Sequence, residues 1–329
     1  MEERPYYLGI RYTKLYFTVE FLEKTELVRE KASALRGGMG EMLLRAHCIA
    51  DRNCDACGFD GECIVQRTMY SKFTQVPASM HSGDSVGYIM LCTDSRRRFE
   101  PGDKMEFTLT LIGKNIVYFS QYLNALHALG MSGLGKNRSH YRIVSVKNVY
   151  REQILEGNNI YMSNYKWQRL GDYVDWRKRK LEGNGDACRI LFQTPVSMKY
   201  HGQFIEEFSA ESLGSGLLRR LYILSAFEDL AEEGIQYEPK TEFPEILSQE
   251  IEQAEVSRYS SRKDTHVKLR GIRGTVQIGK IPEEWLDALL AGEIVQIGKN
   301  TSFGFGKYIV KGECTNGKGI YDCCRNREL

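Results

Sequence analysis

The chain has 329 residues, 42% of them hydrophobic and 27% charged, with 31 Gly and 7 Pro. That length suits two domains of ordinary size, and the mix is that of a folded chain, which excludes disorder for the bulk and any collagen-like repeat. The 45 Lys and Arg nearly cancel the 43 Asp and Glu, yet the balance hides segments of opposite sign. Residues 136–199 carry 13 basic and 6 acidic side chains, residues 206–255 carry 3 and 13, and residues 256–329 carry 13 and 8. Basic stretches offset by an acidic one fit a polyanion-binding face backed by a solvated one.

The start MEERPYYLGIRYTKLYF has no basic stretch leading into an apolar one, and no apolar run approaches the length of about 18 that a membrane span needs. The expectation is a cytoplasmic protein, neither exported nor membrane-bound. Nine cysteines, an odd number, then read as reduced thiols or metal ligands rather than as a disulfide framework.

In chain order, Leu15, Phe17, Val19 and Phe21 alternate with polar residues and predict a strand, and Leu35, Met39, Met42, Leu43 and Ala46 recur at helical spacing. An apolar stretch from Val86 to Cys92 and an alternation at Met105, Phe107, Leu109 and Leu111 predict two more strands. A helix over 116–129 follows, stopped by Gly130, and then a strand from Tyr141 to Tyr150. The order strand, helix, strand, strand, helix, strand is that of a ferredoxin-like domain. The second half repeats it: a strand around 188–196, a helix from Leu213 to Leu230, strands around 266–280, a short helix at 283–290 and a last strand near 305–310. The predicted class is therefore α+β, with two tandem ferredoxin-like (RRM-like) domains. The first spans 1–150 with a Cys-rich insertion at 48–63, and the second spans 188–329. Between them, 151–187 holds Trp167, Tyr173, Trp176, the run Arg177 to Lys180 and Gly183-Asn184-Gly185. It reads as an exposed basic and aromatic linker: either a solvated charge run or a contact for single-stranded nucleic acid.

Cys48, Cys54, Cys57 and Cys63 are spaced x5, x2 and x5 within sixteen residues, and the CxxC step lets two thiolates face one ion. A small structural zinc site is the expectation; unconnected thiols or an iron–sulfur cluster are the alternatives. Cys314, Cys323 and Cys324 read as incidental.

Near the end stands GKNTSFGFGKY, Gly298 to Tyr308. It is neither the P-loop GxxxxGK[ST] nor a GxGxxG that follows a strand and opens a helix, so nucleotide hydrolysis has little support. The segment resembles the Gly-rich C-terminal motif of the RAMP superfamily, and in particular of the CRISPR-associated endoribonucleases that process the repeat transcript into guide RNAs. The resemblance extends to Ser257-Arg258-Tyr259-Ser260-Ser261-Arg262-Lys263, to Gly271 and Gly274, and to Gly292-Glu293-Ile294. It extends also to Arg36-Gly37-Gly38-Met39-Gly40 and to the stretch from Gly130 to Arg138. It implies a two-domain ferredoxin-like fold, CRISPR repeat RNA as partner together with subunits of a CRISPR effector complex, and no membrane partner.

The reaction it implies is metal-independent, with no cofactor for catalysis: a ribose 2′-hydroxyl attacks the adjacent phosphate, leaving a cyclic phosphate. One group must accept the 2′-hydroxyl proton, one must protonate the leaving oxygen, and cations must stabilise the phosphorane. Of six histidines (His47, His81, His127, His140, His201, His266), His47 stands about where the family most often carries its catalytic one. His201 and His266 are the alternatives, and His127 reads as structural or exposed. The family's tyrosine–histidine–lysine set is not matched, because no tyrosine lies between residues 22 and 46; Lys31, Arg36 or Arg45 would supply the charge. The expected RNA contacts are Gly298, Lys299, Asn300, Gly304, Gly306, Lys307, Arg258, Arg262, Lys263, Lys136 and Arg138. A non-catalytic guide-RNA-binding subunit of the same superfamily is the second reading, and an unrelated zinc-containing RNA-binding protein the third.

Overall fold

The structure, a computed structural model, describes residues 4–54, 56–59, 61–70, 73, 86–181, 188–231, 237–260, 265–315 and 320–322. His81, Gly183, Asn184, Gly185, Arg262, Lys263, Cys323 and Cys324 lie outside them, as do the side chains of Arg258, His266 and Cys314.

The first half runs β1 (Arg11–Phe21), β2 (Thr25–Glu26), α1 (Lys31–His47), α2 (Ile64–Met69), β3 (Tyr88–Leu91), β4 (Arg98–Phe99), β5 (Lys104–Ile112), α3 (Phe119–Ser132) and β6 (Tyr141–Lys147). β1 lies between β5 and β6, and the antiparallel order β3-β5-β1-β6 is the ferredoxin-like one. The alternation seen in β1 is real: Leu15, Phe17, Val19 and Phe21 are wholly buried, and Phe17 stacks on its cross-strand partner Phe107 with ring centroids 5.2 Å apart. α1 and α3 cover this face and share one core with it. Gly37, Gly38 and Gly40 lie inside α1. A glycine inside a helix costs about 1 kcal/mol relative to alanine, and packing explains Gly38: a Cβ there would stand 2.4 Å from a Leu129 methyl of α3.

The stretch 151–181, expected as an exposed linker, is structured. β7 (Gln153–Glu156) and β8 (Asn159–Ile160) extend the first sheet, β9 (Gln168–Arg169) pairs with the start of β1, and α4 (Leu170–Lys180) follows. Leu170 and Val174 of α4 enter the second core. The basic run is divided rather than solvated. Arg177 turns inward to the buried Glu293, Nε to Oε2 at 3.0 Å, and Lys178 reaches Glu283 at 3.0 Å and also Asp287. Arg179 and Lys180 alone of the four are exposed.

The second half runs β10 (Cys188–Val196), β11 (Lys199–Tyr200), β12 (Gln203–Phe204), α5 (Ala210–Phe227), β13 (Ile246–Ser260), β14 (Thr265–Ile278), α6 (Glu283–Val295), β15 (Tyr308–Thr315) and β16 (Ile320–Asp322). Its sheet order β13-β14-β10-β15 repeats that of the first half. β13 and β14 pair from Ile246↔Ile278 to Ser260↔Thr265, a long arm of which β13 is the edge strand. β13 has no counterpart in the sequence reading. Tyr7, Leu8, Ile10, Tyr12 and Ile112 from the first half complete the second core.

Candidate nucleic-acid interface

The Gly-rich loop from Gly298 to Gly306 connects α6 to β15. Its glycines are required by the protein rather than left open for a ligand. Gly298, Gly304 and Gly306 have φ of +81°, +84° and +81°, a region that penalises a Cβ, and a Cβ on Gly306 would stand 1.9 Å from the Ile297 carbonyl oxygen. Most of the loop's amides are also engaged. Lys299 N–H donates to Ser197 at 2.7 Å, Phe303 to Asn300 at 2.9 Å, Gly304 to Thr301 at 2.9 Å, Gly306 to Pro195 at 2.8 Å and Lys307 to the Thr194 hydroxyl at 2.9 Å. The side chains of Lys299 and Asn300, only partly buried, and the turn at Gly298 are therefore what the loop could offer a ligand.

Lys307 does not share that role. Its ammonium donates to the Glu293 carbonyl at 2.8 Å, and burial together with the nearby charges of Lys14 and Arg177 pulls its pKa down to about 8, against the opposing pull of Glu293.

Beside the loop opens a cleft of about 420 Å³ between the two halves, walled by Arg29, Asp94, Thr194, Gln253, Arg273 and Phe303 among others. α1 enters it by its N-terminal end. Arg36, expected in the catalytic set, lies over the Phe303 ring at 4.6 Å and ties α1 to the Gly-rich loop. Lys31 is wholly buried: its ammonium donates to the Asp94 carbonyl at 2.7 Å and lies over Phe99 at 5.6 Å, and desolvation lowers its pKa. A cation so enclosed holds the loop at Asp94. Cys92, on the cleft wall, is pushed up to about 11 by burial and stays a thiol.

Arg29 is exposed at the cleft, and the sequence reading missed it; its position two residues before α1 was the available signal. Lys136 and Arg138 are exposed in a turn closed by the Leu134↔Ser139 bridge, beside Leu27 and hence near the entry to α1. Arg29, Lys136, Arg138 and Lys299 form no ion pair with a carboxylate of the described residues.

His47 is at the other end of α1. Seventeen residues at 1.5 Å each place it about 24 Å from Lys31 and about 16 Å from Arg36, so the expected catalytic residues are not one cluster. Arg45 stays near His47 but is exposed and paired with Glu41 at 2.9 Å. His47 is exposed and lines a cavity of about 230 Å³ together with Cys48, Cys54, Cys57 and Cys63. All four cysteines thus line one cavity, and the CxxC step turns tightly, with Cys57 N–H donating to the Cys54 carbonyl at 3.2 Å. Thiolate chemistry fits zinc, but among the described residues no three His, Cys, Asp or Glu side chains converge closely enough to hold a metal ion.

The other described histidines stand apart from that cavity. His140 Nδ1 pairs with Glu23 at 2.7 Å, and His201 sits at the tip of the β11–β12 turn against Tyr200. Ser197, between β10 and that hairpin, bridges Lys299 of the Gly-rich loop. No helix of the described residues is long and apolar enough to cross a membrane.

Residues 190–308 match the family model of the CRISPR-associated endoribonuclease Cas6, and residues 10–170 match a family model described as an N-terminal domain. No curated protein matches the chain. Among solved structures it is similar to a partial Cas6-RT-Cas1–Cas2 complex, with a TM-score of 0.54 and 13% identity over 97% of this chain and 48% of that one. The Cas6-RT-Cas1–Cas2 complex gives 0.54 and 13% over 97% and 30%. A Cas6 product complex gives 0.50 and 13% over 91% and 98%. The chain thus spans half or less of the first two, and at this identity the likeness is one of fold.

Proposed function

We propose that the chain, whose residues 190–308 match the family model of the CRISPR-associated endoribonuclease Cas6, is a RAMP-type protein that binds CRISPR repeat RNA and cuts the precursor transcript into guide RNAs. The observation that carries this reading is the cleft where the N-terminal end of α1 meets Phe303, Gly304 and Phe305 of the Gly-rich loop, lined by Arg29; Arg29 there, and Lys299 earlier in the same loop, are cations without a carboxylate partner among the described residues. Such cations are what an RNA backbone needs. In the proposed step the 2′-oxygen attacks the adjacent phosphorus, the bond to the 5′-oxygen breaks, a base takes the 2′-hydroxyl proton and an acid returns one to the leaving oxygen. No metal ion takes part, and the products are a cyclic phosphate and a 5′-hydroxyl. His47 is assigned to proton transfer, because an imidazole can both accept and donate a proton. An RNA lying in the cleft would have to extend about 24 Å along α1 to reach it. Cys48, Cys54, Cys57 and Cys63 are assigned to a structural zinc that would fix the loop leaving α1, supported by the single cavity they line.

The distance of His47 from the cleft favours a second reading, a RAMP-type subunit that holds guide RNA in an effector complex without cutting it. Single-turnover cleavage of end-labelled repeat RNA, without added divalent metal, separates the two. Wild type should cut at one position, and His47→Ala should be about 100-fold slower with RNA affinity and metal content retained. Cleavage by the variant at the wild-type rate would move proton transfer to His201 or His266. Binding without cleavage by wild type would establish the second reading.

A further inference from the structure

A second cavity, of about 620 Å³, opens where the start of the chain meets the 167–172 segment and the residues that follow α5, walled by Arg4, Tyr6, Arg11, Trp167, Arg169 and Leu230 among others. It shares no residue with the cleft at the Gly-rich loop. Its geometry follows from one short ladder. β9 pairs with β1 so that Arg169 lies directly opposite Arg11, and directly opposed side chains project from the same face. Trp167, two residues before Arg169, joins them there, and the two guanidinium carbons stand 5.9 and 6.0 Å from its ring centroid.

Like charges placed opposite one another destabilise a ladder, and only one of these two is neutralised. Arg11 donates through Nε and Nη2 to the buried carboxylate of Glu228, both at 2.9 Å. Arg4 pairs with Asp175, and the Asp172 carboxylate, which also lines the cavity, accepts the Arg169 backbone N–H at 3.0 Å. The Arg169 guanidinium pairs with no carboxylate of the described residues. Beside it Trp167 remains 49% exposed, although the neighbouring aromatics Tyr173 and Trp176 pack on each other. A half-open indole held by two guanidiniums is a preorganised stacking platform, and an uncompensated arginine next to it is an anion contact. A planar base joined to a phosphate satisfies both.

We propose that this cavity takes one unpaired nucleotide of the bound RNA, the base stacked on Trp167 and the phosphate on Arg169. The proposal rests on the RNA-binding reading above and adds a second, separate contact. The cleft lies at Leu91, which pairs through Thr108 of β5 with Tyr16 of β1, five residues along the strand from Arg11. The two contacts are therefore about 17 Å apart along the strand and two strands apart across the sheet.

The test measures affinity for labelled repeat RNA with wild type, W167A, W167F and R169Q, each checked for folding by circular dichroism. W167A should bind about 10-fold more weakly, W167F should lie within about threefold of wild type because a phenyl ring also stacks, and R169Q should weaken binding and reduce its salt dependence. The two conservative variants keep the test valid if W167A fails to fold. Undiminished binding by W167A and R169Q, with wild type binding RNA, overturns the nucleotide cavity alone. Wild type that fails to bind repeat RNA overturns the underlying reading. Titration with AMP and with inorganic phosphate identifies the source: tight, Trp167-dependent binding of AMP alone would make this a free-nucleotide site and overturn the RNA assignment.

Discussion

Lys307 follows the last glycine of the Gly-rich loop, where a lysine is readily taken for a phosphate contact, but its ammonium is turned inward to the Glu293 carbonyl. The carboxylate of the same Glu293 accepts from the Tyr173 hydroxyl at 2.6 Å, from Arg177 and from the Val310 amide at 2.6 Å, so α4, α6 and β15 meet at one buried acid. Burial lowers the lysine to about 8, below the value of about 10.4 expected in the unfolded chain. Between those two pH values the unfolded chain holds a proton that the folded chain has lost, so this residue's contribution to stability rises with pH across that window and is most unfavourable below it. Lys307→Met should therefore stabilise the protein at pH 7 by about 1–3 kcal/mol, and the advantage over wild type should shrink from pH 8 to pH 10.5. Denaturant unfolding of both proteins across that range checks it; a difference independent of pH would show that the ammonium is not desolvated.

At the scale of elements, what the sequence revealed depended on how much apolar surface each element buries. β1, β5 and α1 bury full faces, and their periodicity is plain in Leu15 to Phe21, in Met105 to Leu111 and in Leu35 to Leu43. Among its described side chains β13 buries only Val256, and it carries Glu250, Glu252 and Glu255 along an edge, so no apolar alternation marks it, and its acidic character resembles a solvated surface. α4 was hidden for the opposite reason. Its basic run looked like solvent-facing charge, because the partners Glu283, Asp287 and Glu293 lie more than 100 residues away in sequence. The Cys-rich segment between α1 and α2 falls between these cases: the spacing was legible and the structure gathers the thiols on one cavity, but ligand convergence does not follow from spacing. The protein purified without added metal should contain about one equivalent of zinc by elemental analysis, and Cys54→Ser should lose it with a drop in Tm. A wild-type preparation free of both zinc and iron would leave four ordinary thiols.

For the whole molecule, the repeated strand order places α1 of the first half against the Gly-rich loop of the second, and the cleft exists only because both halves are present. The tandem plan was readable from the order of elements, whereas the site was not, because it joins residues near 30 to residues near 300 through contacts such as Arg36 on Phe303. Charge at the cleft gives a direct measure of which cations face RNA. Each cation that neutralises a phosphate of a single strand contributes about 0.7 to the slope of log affinity against log salt. Replacing both Arg29 and Lys299 by alanine should lower that slope by about 1.4 and weaken binding most at low salt. Lys307→Met should leave the slope unchanged, since its ammonium is enclosed, and Arg179→Ala should do the same if RNA follows the cleft rather than α4. A slope unaltered in the Arg29 and Lys299 double variant but lowered by Arg179→Ala would place the RNA along α4 instead of between the two halves.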